Sequence, residues 1–231
     1  MSRLASLARP FLERAPWVRV VALGCPEVAD ALDLAPFGVP VTFVDAVRDT
    51  ARVARYLEAN RARFGGAVAL PGWVLADLYL MPAAVTVLED PSGEVLAAYY
   101  AAPTLEAGCV VGVSLFSTRE GLGAATAAKA LGLGILRART ARGVTQWRSR
   151  ALRVHARFGD LSVEGPAPAV HGLAGESFRY RTELDAPVHG EAHPVPVEVA
   201  QARVTAGERL RIATPGGDGT RVWVRGLGSG G

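Results

Sequence analysis

The sequence predicts an α/β protein: a mixed central sheet flanked by helices, with a small N-terminal αβα extension and a C-terminal β appendage. Three observations predict it. Between residues 39 and 184, apolar strand-like runs alternate with stretches of helical spacing. A glycine-rich turn joins one long apolar strand directly to an Ala- and Leu-rich helix. After Ala186 the composition shifts, with Pro and Gly separating short β-like runs. The chain has 231 residues, 50% of them apolar and 20% charged, which is ample for a buried core and excludes a disordered tail.

The elements follow in order. Residues 1–38 read as a short helix, a strand at Trp17–Leu23, and a second helix opened by Pro26 and closed near Pro36–Gly38. Val39–Val47 is a strand. Arg48–Phe64 places Val53, Tyr56, Leu57 and Phe64 on one helical stripe, ended by Gly65–Gly66. A short helical piece is expected at Trp73–Leu80. Val85–Leu88 and Glu94–Tyr100 form a hairpin around Pro91, Ser92 and Gly93. Gly108–Ser117 is mostly apolar, as a central strand would be, and it runs through Thr118–Ala124 into a helix reaching about Arg139. A strand at Gly143–Trp147 leads to a helix whose apolar face is Ala151, Val154, His155 and Phe158. Glu176–Leu184 alternates, with Phe178, Tyr180, Thr182 and Leu184 on one side. Three strand-like runs at Val195–Val204, Arg209–Ala213 and Arg221–Arg225 complete the chain. The expected domains are therefore 1–38, 39–184 and 185–231.

Composition narrows the function. No apolar run approaches the roughly 18 residues of a membrane-spanning helix. Arg9, Pro10, Glu13 and Arg14 break any signal-peptide core, so a cytoplasmic protein without a membrane partner is expected. Cys25 and Cys109, with His155, His171, His189 and His193, match no metal-ligand spacing, and no metal is expected. Charge is uneven. Gly121–Gly159 contains no carboxylate but carries Lys129 and seven arginines, a local +8 within a net +3 that leaves −5 for the remainder. Such a block suggests an anionic partner, either a phosphorylated co-substrate or nucleic acid along Arg137–Arg157. Arg150, Arg153 and Arg157 also fit a solvated helical stripe.

The segment that carries chemistry is Val110–Arg139. A strand ending in a glycine turn that opens a helix presents free backbone N–H groups and the positive helix end to an anion. Gly121 and Gly123 remove side chains from that approach.

The order of elements around this turn resembles the GNAT superfamily of acyl-CoA-dependent N-acyltransferases, over nearly two-thirds of the chain. In that family an Arg/Gln-x-x-Gly-x-Gly/Ala turn holds the CoA pyrophosphate. The matching stretch here is Thr118-Arg119-Glu120-Gly121-Leu122-Gly123, with Thr118 in the leading position and Arg119 beside it. The resemblance implies acetyl-CoA or another acyl-CoA as co-substrate, bound by Val111, Val113, Thr118, Arg119, Gly121, Leu122, Gly123 and Ala124. The family's Asn-x-x-Ala-x-x-apolar-Tyr-x-x-x-Gly helix is matched by Arg148, Ala151, Val154, His155 and Gly159. His155 then stands where a tyrosine protonates the leaving thiolate, a role open to imidazolium; core packing is its other reading.

An amine acceptor must also lose a proton. Gly108–Ser117 holds no carboxylate, which leaves Glu106 just before it and Ser114 within it as candidates. The oxyanion would be held by a backbone N–H of Val111–Ser114. The implied activity is transfer of an acyl group, acetyl by expectation, to a small-molecule or protein amine. The departures at Thr118, Arg148 and His155 also fit a GNAT-like fold that has lost chemistry and serves binding or assembly, with the extensions supporting a homo-oligomer. An acceptor on a nucleic-acid base is the third reading.

Overall fold

Short polar residues start the helices. Ser2 accepts a hydrogen bond from the Ala5 N–H and caps α1 (Arg3–Arg14). Asp49 does the same for α2 (Thr50–Phe64) and Ser149 for α4 (Arg150–His155). Among the described residues the other α-helices, α3 (Ala124–Ile135) and α5 (Val197–Thr205), have no side-chain cap. The computed structural model describes residues 2–65, 84–167, 176–187, 190–216 and 218–225. The short helix expected at Trp73–Leu80 lies outside them.

The chain packs as two compact units, Met1–Ala138 and Arg139–Gly231. The composition breaks at 38/39 and 184/185 do not coincide with that boundary, and strand pairing explains why. In the first unit the order is β2 (Thr42–Asp45), β1 (Arg19–Gly24), β3 (Ala84–Glu89), β4 (Val95–Pro103), β5 (Cys109–Ser117). The N-terminal strand β1 thus sits inside the sheet, parallel to β2 and antiparallel to β3. In the second unit the order is β6 (Thr140–Gln146), β8 (Ser177–Glu183), β7 (Leu161–Pro166), β10 (Arg211–Pro215), β11 (Arg221–Arg225), β9 (Ala192–Pro196). Here β10 pairs with β7, so the C-terminal strands continue that sheet.

Both faces of the first sheet are covered by helices. Val21, Leu23, Val85, Val87, Tyr100 and Phe116 meet Val53 and Tyr56 of α2. On the opposite face α3 approaches so closely that a Cβ on Gly132 would lie 2.7 Å from Tyr99 Cδ1 and 2.9 Å from Thr86 Oγ1. Tyr99 and Tyr100 therefore point to opposite sides, as neighbours in a strand must. In the second unit α4 and α5 share one core with Phe178, Tyr180, Ile212 and Val222.

Three expectations are corrected. The helix expected from Pro26 to Gly38 is two short 3₁₀ segments, Pro26–Ala31 and Pro36–Gly38, because Pro36 cannot continue a helix. Val195–Val204, read as a strand from its valines, turns helical after Pro196. Val197, Ala200 and Val204 are its buried side, a period of three and four. The apolar face of α4 is Leu152, His155 and Phe158, without Ala151 and Val154. The helix tightens into a 3₁₀ turn at Ala156–Phe158, and a period of three aligns those side chains.

Gly132→Ala should therefore destabilise the fold. Helix propensity favours alanine by about 1 kcal/mol, but overpacking against Tyr99 and Thr86 costs roughly 1–3 kcal/mol. A lower denaturation midpoint for the variant is the expected result; a higher one would show that the sheet yields at this point.

Candidate functional site

The glycine turn has the backbone its sequence suggests. Gly121 and Gly123 both adopt φ +80°, a left-handed conformation that costs other residues about 1–2 kcal/mol. A Cβ on Gly121 would meet nothing within 4 Å, so this side of the turn is open. Gly123 is the N-cap of α3; it has no side-chain cap and no acidic residue follows in the first turn. The first N–H groups of α3 have no intrahelical acceptor, and the helix dipole adds positive potential there. Arg14, at the end of α1, reaches the same turn. Its Nη2 donates to Leu122 O at 2.8 Å and lies 3.5 Å from the position of a Gly123 Cβ. The combination favours an anion, and the open glycine backbone fits a pyrophosphate.

Just before the turn, β5 is bulged. Tyr100 pairs with Ser114 and Ala101 with Gly112, so Val113 is the extra residue, outside the β4 ladder. The bulge switches the alternation. Gly112 and Leu115 share the α3 face, where a Gly112 Cβ would lie 2.9 Å from Tyr99 Oη. Ser114 and Phe116 share the α2 face. Val113, 44% exposed, carries a backbone N–H of the kind that stabilises a developing oxyanion.

The other expected site residues fall in different places. Ser114 Oγ accepts from Asn60 Nδ2 of α2 at 3.1 Å and faces the α2 core. Glu106 lies in the exposed turn before β5, its N–H bonded to Thr104 Oγ1. Five strand residues separate Cys109 from Ser114, about 16 Å, so the fold does not bring Glu106 and Ser114 together. Thr118 Oγ1 donates back to Val95 O at 2.9 Å, which ties the start of the turn to β4. Arg119 pairs with Glu94 at 3.5 Å, both more than half exposed. Leu122 is 44% exposed and Ala124 is buried at the head of α3. Val111 packs with the α2 core. His155, in the second unit, is buried, and its Nδ1 is 3.1 Å from Tyr180 Oη. Among the described residues no cluster of three or more His, Cys, Asp or Glu is placed to hold a metal ion. No described helix is long and apolar enough to cross a membrane.

Arg14 and Asn60 were not singled out from sequence. Arg14 meets its partner across 108 residues and leaves no local signal. Asn60 does leave one, as a polar residue on the stripe of Val53 and Tyr56.

Two buried ionisable groups also belong to this unit. Glu89, at the end of β3, is 3.1 Å from Arg52 Nε. Burial raises its pKa against the opposing pull of Arg52, Arg55 and Arg19. Lys129 lies in the fully buried middle of α3, and desolvation lowers its pKa to about 7.

No family model matches the chain, and no curated protein matches it. Parts of the chain are similar to solved structures. One is a candidate acetyltransferase of the GNAT family from Desulfovibrio desulfuricans, with 18% identity over 61% of this chain and 96% of that one, at a TM-score of 0.46. Another is a candidate acetyltransferase from Acinetobacter baylyi, at 14% identity, 64% and 94% coverage and a TM-score of 0.45. A third, a candidate acetyltransferase from Salmonella typhimurium solved with its cofactor acetyl-CoA, has 18% identity, 61% and 93% coverage and a TM-score of 0.45.

Lys129 gives a pH test of the α3 core. Its folded pKa of about 7 lies below the unfolded value of about 10.4, so between these the unfolded chain binds a proton that the native chain does not. The cost of burying this group is absent above the unfolded pKa and grows as pH falls toward about 7. Lys129→Met should exceed wild type in stability at neutral pH, with the difference shrinking toward pH of about 10 in denaturant titrations. A pH-independent difference would show that Lys129 is charged in the native core.

Proposed function

We propose that this protein is an acyl-CoA-dependent N-acyltransferase of GNAT type, moving an acyl group, most simply acetyl, onto an amine. The observation that carries the reading is the unit formed by bulged β5, the Gly121–Gly123 turn and the uncapped start of α3. The backbone of Gly121–Ala124 would hold the pyrophosphate, with Arg14 adding charge from α1. The strand order β3-β4-β5 before the turn agrees with the resemblance read from the sequence.

Acyl-CoA supplies a carbonyl activated as a thioester. The chain's residues orient it and handle charge and protons. The Val113 N–H is the donor for negative charge developing on the acyl oxygen. His155 is the proposed proton donor to the departing sulfur; its bond to Tyr180 Oη holds the ring in one orientation. Ser114, held by Asn60 and beside the Tyr56 hydroxyl, is better suited to shaping the strand than to taking a proton, because neither neighbour is a base. Glu106 lies in an exposed turn seven residues before Val113, which fits a solvent-side role.

A second reading is a binding or assembly module on the same scaffold. It is favoured by the way the departing positions are engaged: Thr118 with β4, Arg148 with Glu198 and His155 with Tyr180. Turnover separates the two readings.

Acetyl-CoA titrated calorimetrically into the protein should bind saturably. Leu122→Glu should weaken it on the order of tenfold without lowering the melting temperature, since that side chain is exposed and the new carboxylate repels phosphate. Gly123→Arg should abolish it, with folding checked because any side chain at φ +80° is strained. Binding unaffected by Leu122→Glu would remove the turn from the site. Binding without CoA release for any amine, or release indifferent to His155→Phe, would leave the module reading or displace His155.

A further inference from the structure

The second unit's sheet has one face turned to its core and one without a helix among the described residues. Phe178, Tyr180, Ile212, Val222 and Val224 point to the core with α4 and α5. Strand alternation then sends their neighbours the other way. Register places Arg142 opposite Arg181, Arg181 opposite Ser162, Ser162 opposite Arg211, and Arg211 opposite Arg225. Four arginines therefore lie on one line across five strands, a span of about 19 Å at the usual strand spacing. Arg179 stands two residues from Arg181 on the same face, and Trp223 two residues from Arg225.

Charge on this face is unbalanced. Glu164 pairs with Arg142 at 3.3 Å, Glu183 with Arg181 at 2.6 Å and Asp160 with Arg225 at 3.0 Å. Those three arginines are offset. Arg179 and Arg211 add positive charge beyond them, and Arg179 is exposed. Beside the row, Trp223 is 38% exposed although it is a large aromatic. Val144, on the same face, is 40% exposed, so the described residues leave the surface open around it.

We infer that this face binds a single-stranded nucleic acid, its phosphates along the arginine line and a base stacked on Trp223. A sheet face carrying cations and an exposed aromatic is the arrangement that single strands use, because every base has a face to stack and every nucleotide a phosphate. A duplex keeps its bases stacked internally and leaves Trp223 unused. An acidic peptide would satisfy the arginines but not the ring. The contacts differ from those expected of the Arg150, Arg153 and Arg157 stripe, and they do not depend on acyl transfer.

Fluorescence anisotropy with labelled oligothymidylate tests the proposal on the full chain. Binding should weaken with salt. Arg179→Ala combined with Arg211→Ala should reduce the salt slope by about 1.4, the value for two single-strand phosphate contacts. Trp223→Ala should weaken binding between about fivefold and about 150-fold, and Trp223→Phe should restore most of it. Unchanged melting temperatures would confirm that these positions leave the fold intact. The proposal is overturned by absence of binding at low salt. It is overturned equally if duplex or polyglutamate binds as well and Trp223→Ala is silent, or if Arg157→Glu abolishes binding while the face variants do not.

Discussion

The first unit depends on how closely α3 lies against its sheet. Thr126 through Ile135 are all buried, and the helix can approach β3 and β4 because Gly132 presents no side chain to Tyr99 and Thr86. Gly134 repeats the device against Pro36 and Phe37. Burial of that kind is favourable in proportion to the apolar area withdrawn from water, which explains the Ala- and Leu-rich composition of α3. It also explains why Lys129, placed in the same stretch, is pushed toward its neutral form. The seating of α3 determines where its N-terminus points, and so where an anion can be held.

The bulge at Val113 has a comparable reach within β5. One extra residue reverses which side chains face α2 and which face α3. Gly112 comes under the Tyr99 hydroxyl, Ser114 is delivered to Asn60, and Val113 is left outside the β4 ladder. A regular strand would have placed Gly112 and Ser114 on one face. Strand ladder, bulge, glycine turn and helix start thus follow one another within sixteen residues, Cys109–Ala124, so the region is built by its backbone conformations more than by any side chain.

Positive charge is distributed differently in space than along the chain. The carboxylate-free segment divides at the unit boundary: Lys129 is inside α3, whereas the arginines after Ala138 belong to the second unit. There, Arg142 joins Arg181, Arg211 and Arg225, which come from outside the segment, in one line across the sheet. Antiparallel pairing, which sets residues far apart in sequence side by side, creates this patch; local composition does not reveal it.

Much of the fold was legible in residue patterns. The hairpin at Glu89–Glu94, the helix at Thr50–Phe64, the strand–turn–helix at Cys109–Ile135 and the alternation of Phe178, Tyr180 and Thr182 all follow from periodicity and turn chemistry, which are local properties. Local signals failed where one residue type serves two structures. Val197 and Val204 have β-branched side chains but lie on a buried helical face, since tertiary burial outweighs a propensity of tenths of a kcal/mol. The sequence alone determined the glycine turn, because left-handed backbone is open to few residues besides glycine. Only the tertiary structure decided that Arg14 meets that turn from the other end of the unit, that β5 bulges at Val113, and that β1 and β10 belong inside sheets. Those outcomes depend on contacts between residues far apart in the chain, and no local pattern records which distant partner will pack there.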